Sequence, residues 1–408
     1  MSTTIEITDA WTVRVAGVSL AVAPAPLLTV TGEVHDALPL FDAETAGWSK
    51  GARLRGVDTQ ETCAKYALEP GSLVVSAPDG TVYTRDVDYA LDEEWGTGGR
   101  LAGGRIAEGQ PVVVGYRHGQ GRLDTVLVDA AGHIGLRAGV PHISVPRAPE
   151  LRAGERALAN VWVSARLDAL DADHLFPILE TAYPASPAPV AAALLPRTLE
   201  KLRAGTPLRI LAWGDSVTEA SYLADPAERW QAQTVARLQA RFPRAQIELL
   251  HLGWGGRNTA SFLAEPPGSP YNYAEQVLGC RPDLIISEFV NDSGFAPAEI
   301  EERYEQLRAD FQQIGAEWII QTPHYVRPDW MGLTRERDID DDPRPYVAVL
   351  RTFASAHHIA LTDAANRWGR LWRQGIPYTT LFLNSINHPD ARGMALFADS
   401  VLALFPTE

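Results

Sequence analysis

The sequence predicts an α/β chain whose C-terminal domain is a doubly wound parallel sheet, preceded by an all-β N-terminal domain. Three observations carry this. Short alternating runs with glycine and proline punctuation fill roughly the first 180 residues. Beyond about residue 200, apolar runs alternate with helical patterns, as βαβ units do. Between the two regimes lies Tyr183–Pro189, where Pro184, Pro187 and Pro189 give the composition of a semi-rigid connector. The 408 residues exceed one ordinary domain. The expected division is a β-rich, sandwich-like accessory domain over 1–190 and an α/β domain over 191–408.

Each element has its own signal. In the β region, Trp11–Val15, Leu73–Ser76 and Thr81–Thr84 alternate, the last two separated by the turn Pro78-Asp79-Gly80. Pro111–Tyr116 holds three consecutive valines and reads as a buried strand. Thr125–Asp129 and His133–Leu136 flank Ala130-Ala131-Gly132 as a hairpin, and Ala159–Ala165 supplies another strand. Leu151–Glu180 has room for a short helix. In the α/β region the expected strands are Leu208–Trp213, Gln246–Leu252, Asp283–Phe289, Glu317–Thr322 and Ile359–Asp363. The expected helices are Arg229–Phe242, Pro297–Ile314, Pro345–His357 and Ala391–Leu404.

Composition narrows the function classes. Hydrophobic residues make up 46% and charged residues 21%, enough apolar surface for two cores. The net charge of -15, with no basic cluster to offset it, disfavours nucleic acid and anionic membrane as partners. Cys63 and Cys280 lie far apart and form neither a metal spacing nor a disulfide framework, so reduced thiols are expected. The N-terminus has no basic region followed by an apolar core, and no run is long enough to span a membrane; a cytoplasmic location is the expectation. The acidic segment 335–344 lacks the glycine and terminal glutamate of a calcium loop and reads as solvated. No metal site, no phosphate-cradling loop and no cofactor is expected.

The most informative stretch is Leu211–Glu219. An apolar run stops at Gly214, then comes Asp215, then Ser216. A buried parallel strand ends this way, presenting a hydroxyl at the C-terminal edge of the sheet, where ligands of open α/β sheets bind. Three other segments fall beside strand ends: Gly253–Thr259, Phe289–Asp292, and Asn387-His388-Pro389 before the last helix. Ser216 is a candidate nucleophile and His388 a candidate general base. A glycine at 255 or 256 lets a backbone N–H approach a substrate closely, and the Asn291 amide donates without bringing charge. Acyl transfer needs these parts, because negative charge develops on the carbonyl oxygen. Singly, each residue reads better as a turn or cap residue; the four in order carry the catalytic reading.

With those residues in place, the chain resembles the SGNH hydrolases, also called GDSL-type esterases and lipases, over roughly residues 205–408. Gly214-Asp215-Ser216, Gly256, Asn291-Asp292 and His388-Pro389 match the four blocks in order. The resemblance implies Ser216 as nucleophile and His388 as base. It also implies an oxyanion hole from the N–H groups of Ser216 and Gly256 and the side chain of Asn291. It says nothing about the first 190 residues. Two positions depart from the family. Phe289 stands where a glycine is usual, and Ser385 stands where the aspartate that orients the histidine is usual. Three alternatives follow for His388: a dyad with a carbonyl or the Asn384 amide holding the ring, a displaced acid such as Asp363, or a weakened site.

The expected activity is removal of a short acyl group, acetyl first, from a small-molecule or oligosaccharide ester. The sequence shows no apolar lid, and Trp254 and Trp330 fall in loops where either could stack on a sugar ring. His324, at the end of the fourth strand, is a candidate pocket residue, with a solvated loop histidine as the alternative. The alternatives are a lipid or thioester hydrolase, and a non-catalytic carbohydrate-binding protein on a hydrolase scaffold. The sequence is silent on oligomeric state, on the sugar and on the role of the β domain.

Overall fold

The computed structural model describes residues 4–184 and 189–407. The expected connector Tyr183–Pro189 therefore falls partly outside the described residues. The chain forms two compact units. The first comprises the described residues up to Thr181, together with Arg335–Arg337 and Trp372–Asn387. The second comprises Ala182–Thr334, Asp338–Leu371 and the described residues from His388 onward.

The N-terminal unit is built from small antiparallel sheets. Ile5–Asp9, Thr12–Val15 and Val18–Ala21 form a meander. Ile134–Arg137, Arg122–Val128, Arg156–Val163 and Leu175–Pro177 lie in that order in a four-stranded sheet. Val112–Gly119 is flanked by Leu27–His35 and Val74–Ser76, and Thr97–Arg100 by Ala52–Arg53 and Tyr89–Asp92. The expected strand at Thr81–Thr84 does not form; only Val82 bridges, to Ser76. Asp79 tightens the preceding turn by accepting the Thr81 N–H at 2.9 Å, and the partner strand is three residues long, so the ladder has nowhere to extend. The short helix expected in 151–180 is a single 3-10 turn, Ala172–His174.

The returning segments are woven into this unit. Ile386 is buried in the same apolar cluster as Val57, Val75, Val112 and Val114. Thr62 donates its hydroxyl to the Asn384 carbonyl. Asn160 donates to the Gly375 carbonyl at 2.7 Å, and the Leu179 N–H to the Arg373 carbonyl at 2.7 Å. Thr379 donates to Glu336 at 2.6 Å, and burial pushes that carboxyl up to about 7.

In the second unit, five parallel strands run Pro207–Gly214, Gln246–Gly253, Leu284–Glu288, Glu317–Gln321 and Ala360–Thr362. Across the sheet their order is second, first, third, fourth, fifth. Burial follows position. The third and fourth strands are buried at every residue, whereas the second, at the edge, has no buried residue. This is why the central strands read as continuous apolar runs. The helices begin and end where local chemistry dictates. Pro297 and Pro345 occupy first-turn positions of Pro297–Ile314 and Pro345–Ala356, where a missing N–H costs nothing. Asp390 caps Ala391–Leu402 by accepting the N–H groups of Arg392 at 2.9 Å and Gly393 at 3.1 Å. Gly315, at φ 73°, closes the long helix in the left-handed conformation.

Trp213, fully buried, sits at the centre of an aromatic cluster. Phe289 meets it edge-on at 4.8 Å, with Phe262 at 5.5 Å and Phe311 at 6.1 Å. The phenylalanine that stands in place of a glycine is thus a core residue behind the strand end. No described helix is long and apolar enough to cross a membrane. Among the described residues, no group of three or more His, Cys, Asp or Glu side chains is arranged to hold a metal.

Candidate active site

The strand Pro207–Gly214 runs into a one-turn helix, Ser216–Glu219. Gly214 is required by packing: a Cβ there would lie 2.2 Å from the Glu288 carbonyl and 2.2 Å from the Thr218 hydroxyl. Asp215 caps the turn, its carboxylate accepting the Val217 N–H at 3.2 Å. Its other oxygen accepts the Asn291 N–H at 2.9 Å, tying the end of the first strand to the end of the third. Ser216 is half-buried at the first helical position.

The other segments are laced to this one. Asp292, fully buried, accepts the Thr259 N–H at 2.9 Å and the Tyr304 hydroxyl at 3.3 Å. Asn291 donates one amide hydrogen to the Arg257 carbonyl at 3.0 Å. Gly256 has φ 70°, a conformation that favours glycine, and the space above its Cα is open. Gly255 lies against Ser216, 3.9 Å from its Cβ to a Cβ built at 255. His388 approaches from the start of the last helix, and its Nε2 lies 3.2 Å from the Ser216 Oγ. The structure therefore brings Ser216 and His388 into contact. It also links Asn291 to the loop carrying Gly256.

Burial dominates the electrostatics around His388. His388 is 7% exposed, and burial pushes its pKa down to about 4. The imidazole is neutral at pH 7, the state a general base needs. Behind the serine turn lie three buried carboxyl groups. Burial raises Asp215, with the neighbouring Asp292 adding to it. Burial raises Asp292 to about 6. Glu288 is held well above the usual carboxylate range by burial and by Asp215.

The other expected residues have partners of their own. Asn384 accepts the N–H groups of Ile386 at 3.0 Å and Asn387 at 2.9 Å, bracing its own turn. Asp363 forms a two-point pair with Arg351, at 2.9 and 3.0 Å, and caps Ala364–Gly369 through the Asn366 N–H. Trp254 is stacked on Tyr271 at 4.2 Å and 3°, and packs edge-on against Phe262. Trp330 is 52% exposed on the turn Pro328–Met331, with the Arg327 guanidinium 5.6 Å from its ring. His324 is fully buried against Trp368 and Phe397, and its carbonyl accepts the Arg344 guanidinium at 2.7 Å. The fourth strand's end turns inward there, so the ring is core.

Sequence reasoning missed Tyr222. Its ring lies parallel to the His388 imidazole, 4.2 Å away and at 5°. An aromatic six residues beyond a candidate nucleophile has no local signature; only the fold turns it toward the base.

Residues 212–396 match the GDSL-like lipase/acylhydrolase family. This stretch is a GDSL-like lipase/acylhydrolase domain. The domain makes the chain a carboxylic ester hydrolase. No curated protein matches the sequence. Among solved structures, the chain is similar to Axe2, an acetylxylan esterase from Geobacillus stearothermophilus, at 19% identity and a TM-score of 0.39, covering 49% of this chain and 95% of that one. It is similar to an α/β hydrolase from the metagenome of Lake Arreo, Spain, at 21% identity and a TM-score of 0.38, covering 48% and 94%. It is also similar to a two-domain esterase active on acetylated mannans, at 18% identity and a TM-score of 0.41, covering 52% and 53%.

Proposed function

We propose that this hydrolase removes short acyl groups, acetyl first, from a carbohydrate ester through a covalent acyl-enzyme. The observation that carries the chemistry is the 3.2 Å contact between the Ser216 Oγ and the His388 Nε2. Ser216 Oγ attacks the ester carbonyl carbon as its proton passes to Nε2. The oxyanion is met by the N–H groups of Ser216 and Gly256 and by an Asn291 amide hydrogen. The Asn291 NH2 has two hydrogens and gives one to Arg257, so the second serves the substrate. The tetrahedral intermediate collapses, the sugar alkoxide leaves with the proton from His388, and Ser216 stays acylated. Water, deprotonated by the same nitrogen, then cleaves the acyl bond and restores the serine.

The substrate class rests on less. The exposed Trp330, with Arg327 beside it, lies on the turn Pro328–Met331 in the segment that follows the fourth strand. An exposed indole suits a sugar face. The test is hydrolysis of p-nitrophenyl esters of increasing chain length, alongside acetate release from acetylated xylo- and manno-oligosaccharides. Acetyl preference and acetate release, both abolished in Ser216→Ala, are expected. A preference for octanoyl esters without acetate release would move the substrate to lipids or thioesters.

A further inference from the structure

A base that alternates between neutral and cationic forms needs two things from its surroundings. Its plane must stay fixed, and the cation must be stabilised when it forms. The chain has serine at 385, and Asp363 is committed to Arg351 and a helix cap. One face of the His388 ring meets a π surface. Tyr222 lies 4.2 Å from it and within 5° of parallel. Tyr222 is 9% exposed, so the stack is largely shielded from water.

The tyrosine is placed by the segment that places the nucleophile. The turn Ser216–Glu219 ends at Ala220 in the left-handed conformation, φ 45°. The Leu223 N–H closes back on the Ala220 carbonyl at 3.1 Å. Downstream, Asp225 caps the next turn through the Ala227 N–H at 2.9 Å, and Trp230 anchors the following helix with no exposure. Tyr222 is therefore held on both sides, six residues from Ser216, and the geometry of one short loop sets both the hydroxyl and the face against which the imidazole lies.

We propose that Tyr222 is the positioning residue for His388: its ring fixes the imidazole plane toward Ser216, and its π face stabilises the imidazolium formed as Ser216 attacks. This rests on the Ser–His reading above. An aromatic face attracts a cation more than a neutral ring. The interaction strengthens between ground state and transition state, so its loss appears in kcat rather than KM.

The experiment is a steady-state comparison on p-nitrophenyl acetate. Tyr222→Phe keeps the ring, and kcat should stay within about threefold of the parent; Tyr222→Leu removes the π face, and kcat should fall about tenfold or more with KM within about twofold. Where Tyr222→Leu fails to fold, phenylalanine and its mono-, di- and trifluorinated forms placed at 222 keep the shape while draining the π face. Along that series kcat should fall stepwise. A flat series, a Tyr222→Leu enzyme with parental kcat, or a Tyr222→Phe enzyme as impaired as Tyr222→Leu would overturn the proposal. Ser216→Ala separates the two failures. If it stays active, the Ser–His reading is wrong; if it is inactive while Tyr222→Leu turns over like the parent, only the role of Tyr222 is wrong.

Discussion

Ser216 and His388 meet at 3.2 Å, and the chain delivers them by different routes. The serine arrives locally. A buried strand, a glycine demanded by close packing, a capping aspartate and one helical turn lie within Gly214–Glu219. The histidine arrives at the end of an excursion: residues 372–387 belong to the N-terminal unit, and His388 is the first residue of the chain's return. Ile386 is buried in that unit's core, and Thr62 holds the Asn384 carbonyl. The serine's position is thus fixed by its neighbours in sequence. The histidine follows directly on chain anchored by contacts more than three hundred residues away in sequence, as between Thr62 and Asn384.

The largest effect should come from cutting the contact itself. Ser216→Ala should lower kcat by roughly 10⁴-fold or more with the melting temperature unchanged, and His388→Ala should fall nearly as far, because the two act as a unit. Turnover near the parental level in either purified variant would end the comparison.

Disturbing the anchor of the base comes next. Ile386→Ala opens a cavity in the N-terminal core and should cost about 2–4 kcal/mol in that unit's stability, read by denaturant unfolding. It lies two residues before His388, so kcat should drop as well. A conservative change on the serine side, Val217→Ala, should cost stability without singling out the base. If Ile386→Ala loses stability yet keeps full kcat, the excursion does not govern His388.

The acid limb of the pH profile is a finer probe. Burial holds His388 down at about 4. If His388 is the base we propose, it works when neutral, so kcat/KM should persist as pH falls and decline only near pH 4. An unperturbed imidazole would leave about a tenth of the activity at pH 5.5. That early decline would show that His388 is solvated or faces a carboxylate. Stability should move the other way at Asp292. Its pKa is raised from 3.8 to about 6, so the folded state holds the proton more tightly than the unfolded chain. That group's contribution should be fully present below about pH 4, decline through pH 6 and then level off. A urea midpoint that rises over this range in the parent but not in Asp292→Asn would contradict the sign.

The smallest effect is expected at Asp363. It pairs with Arg351 and caps a helix, so Asp363→Asn should cost on the order of 1 kcal/mol of stability and change kcat by less than about twofold. A loss of kcat comparable to His388→Ala would make Asp363 the displaced acid.

The same contrast governs what could be read from the sequence. The five strands and four long helices of the second unit were legible to within one or two residues, because central strands are buried on both faces and helices carry proline and aspartate signals at their starts. The serine turn was legible for the same local reason. Residues 372–387 were not assignable to the N-terminal unit, since Ile386 looks like any core residue and its partners are distant in sequence. Tyr222 gave no signal either, because stacking depends on where two loops converge. The burial of His324 was not legible, because a residue after a strand end is exposed only if the loop turns outward, and this one turns in toward Trp368. Thr81–Thr84 had strand character, yet it pairs with its short neighbour only around the Ser76–Val82 bridge.

The route of the chain also sets an order of events during synthesis. It passes from one unit to the other after Thr181, Thr334, Arg337, Leu371 and Asn387. A ribosome that has made the first 190 residues has made most of the β unit, but not Ile386, Gly375 or Glu336. Domains ordinarily close as soon as they emerge. Here the first to begin cannot be the first to finish: its core stays incomplete until almost the whole chain has been translated. Its completion and the arrival of His388 are then separated by a single peptide bond.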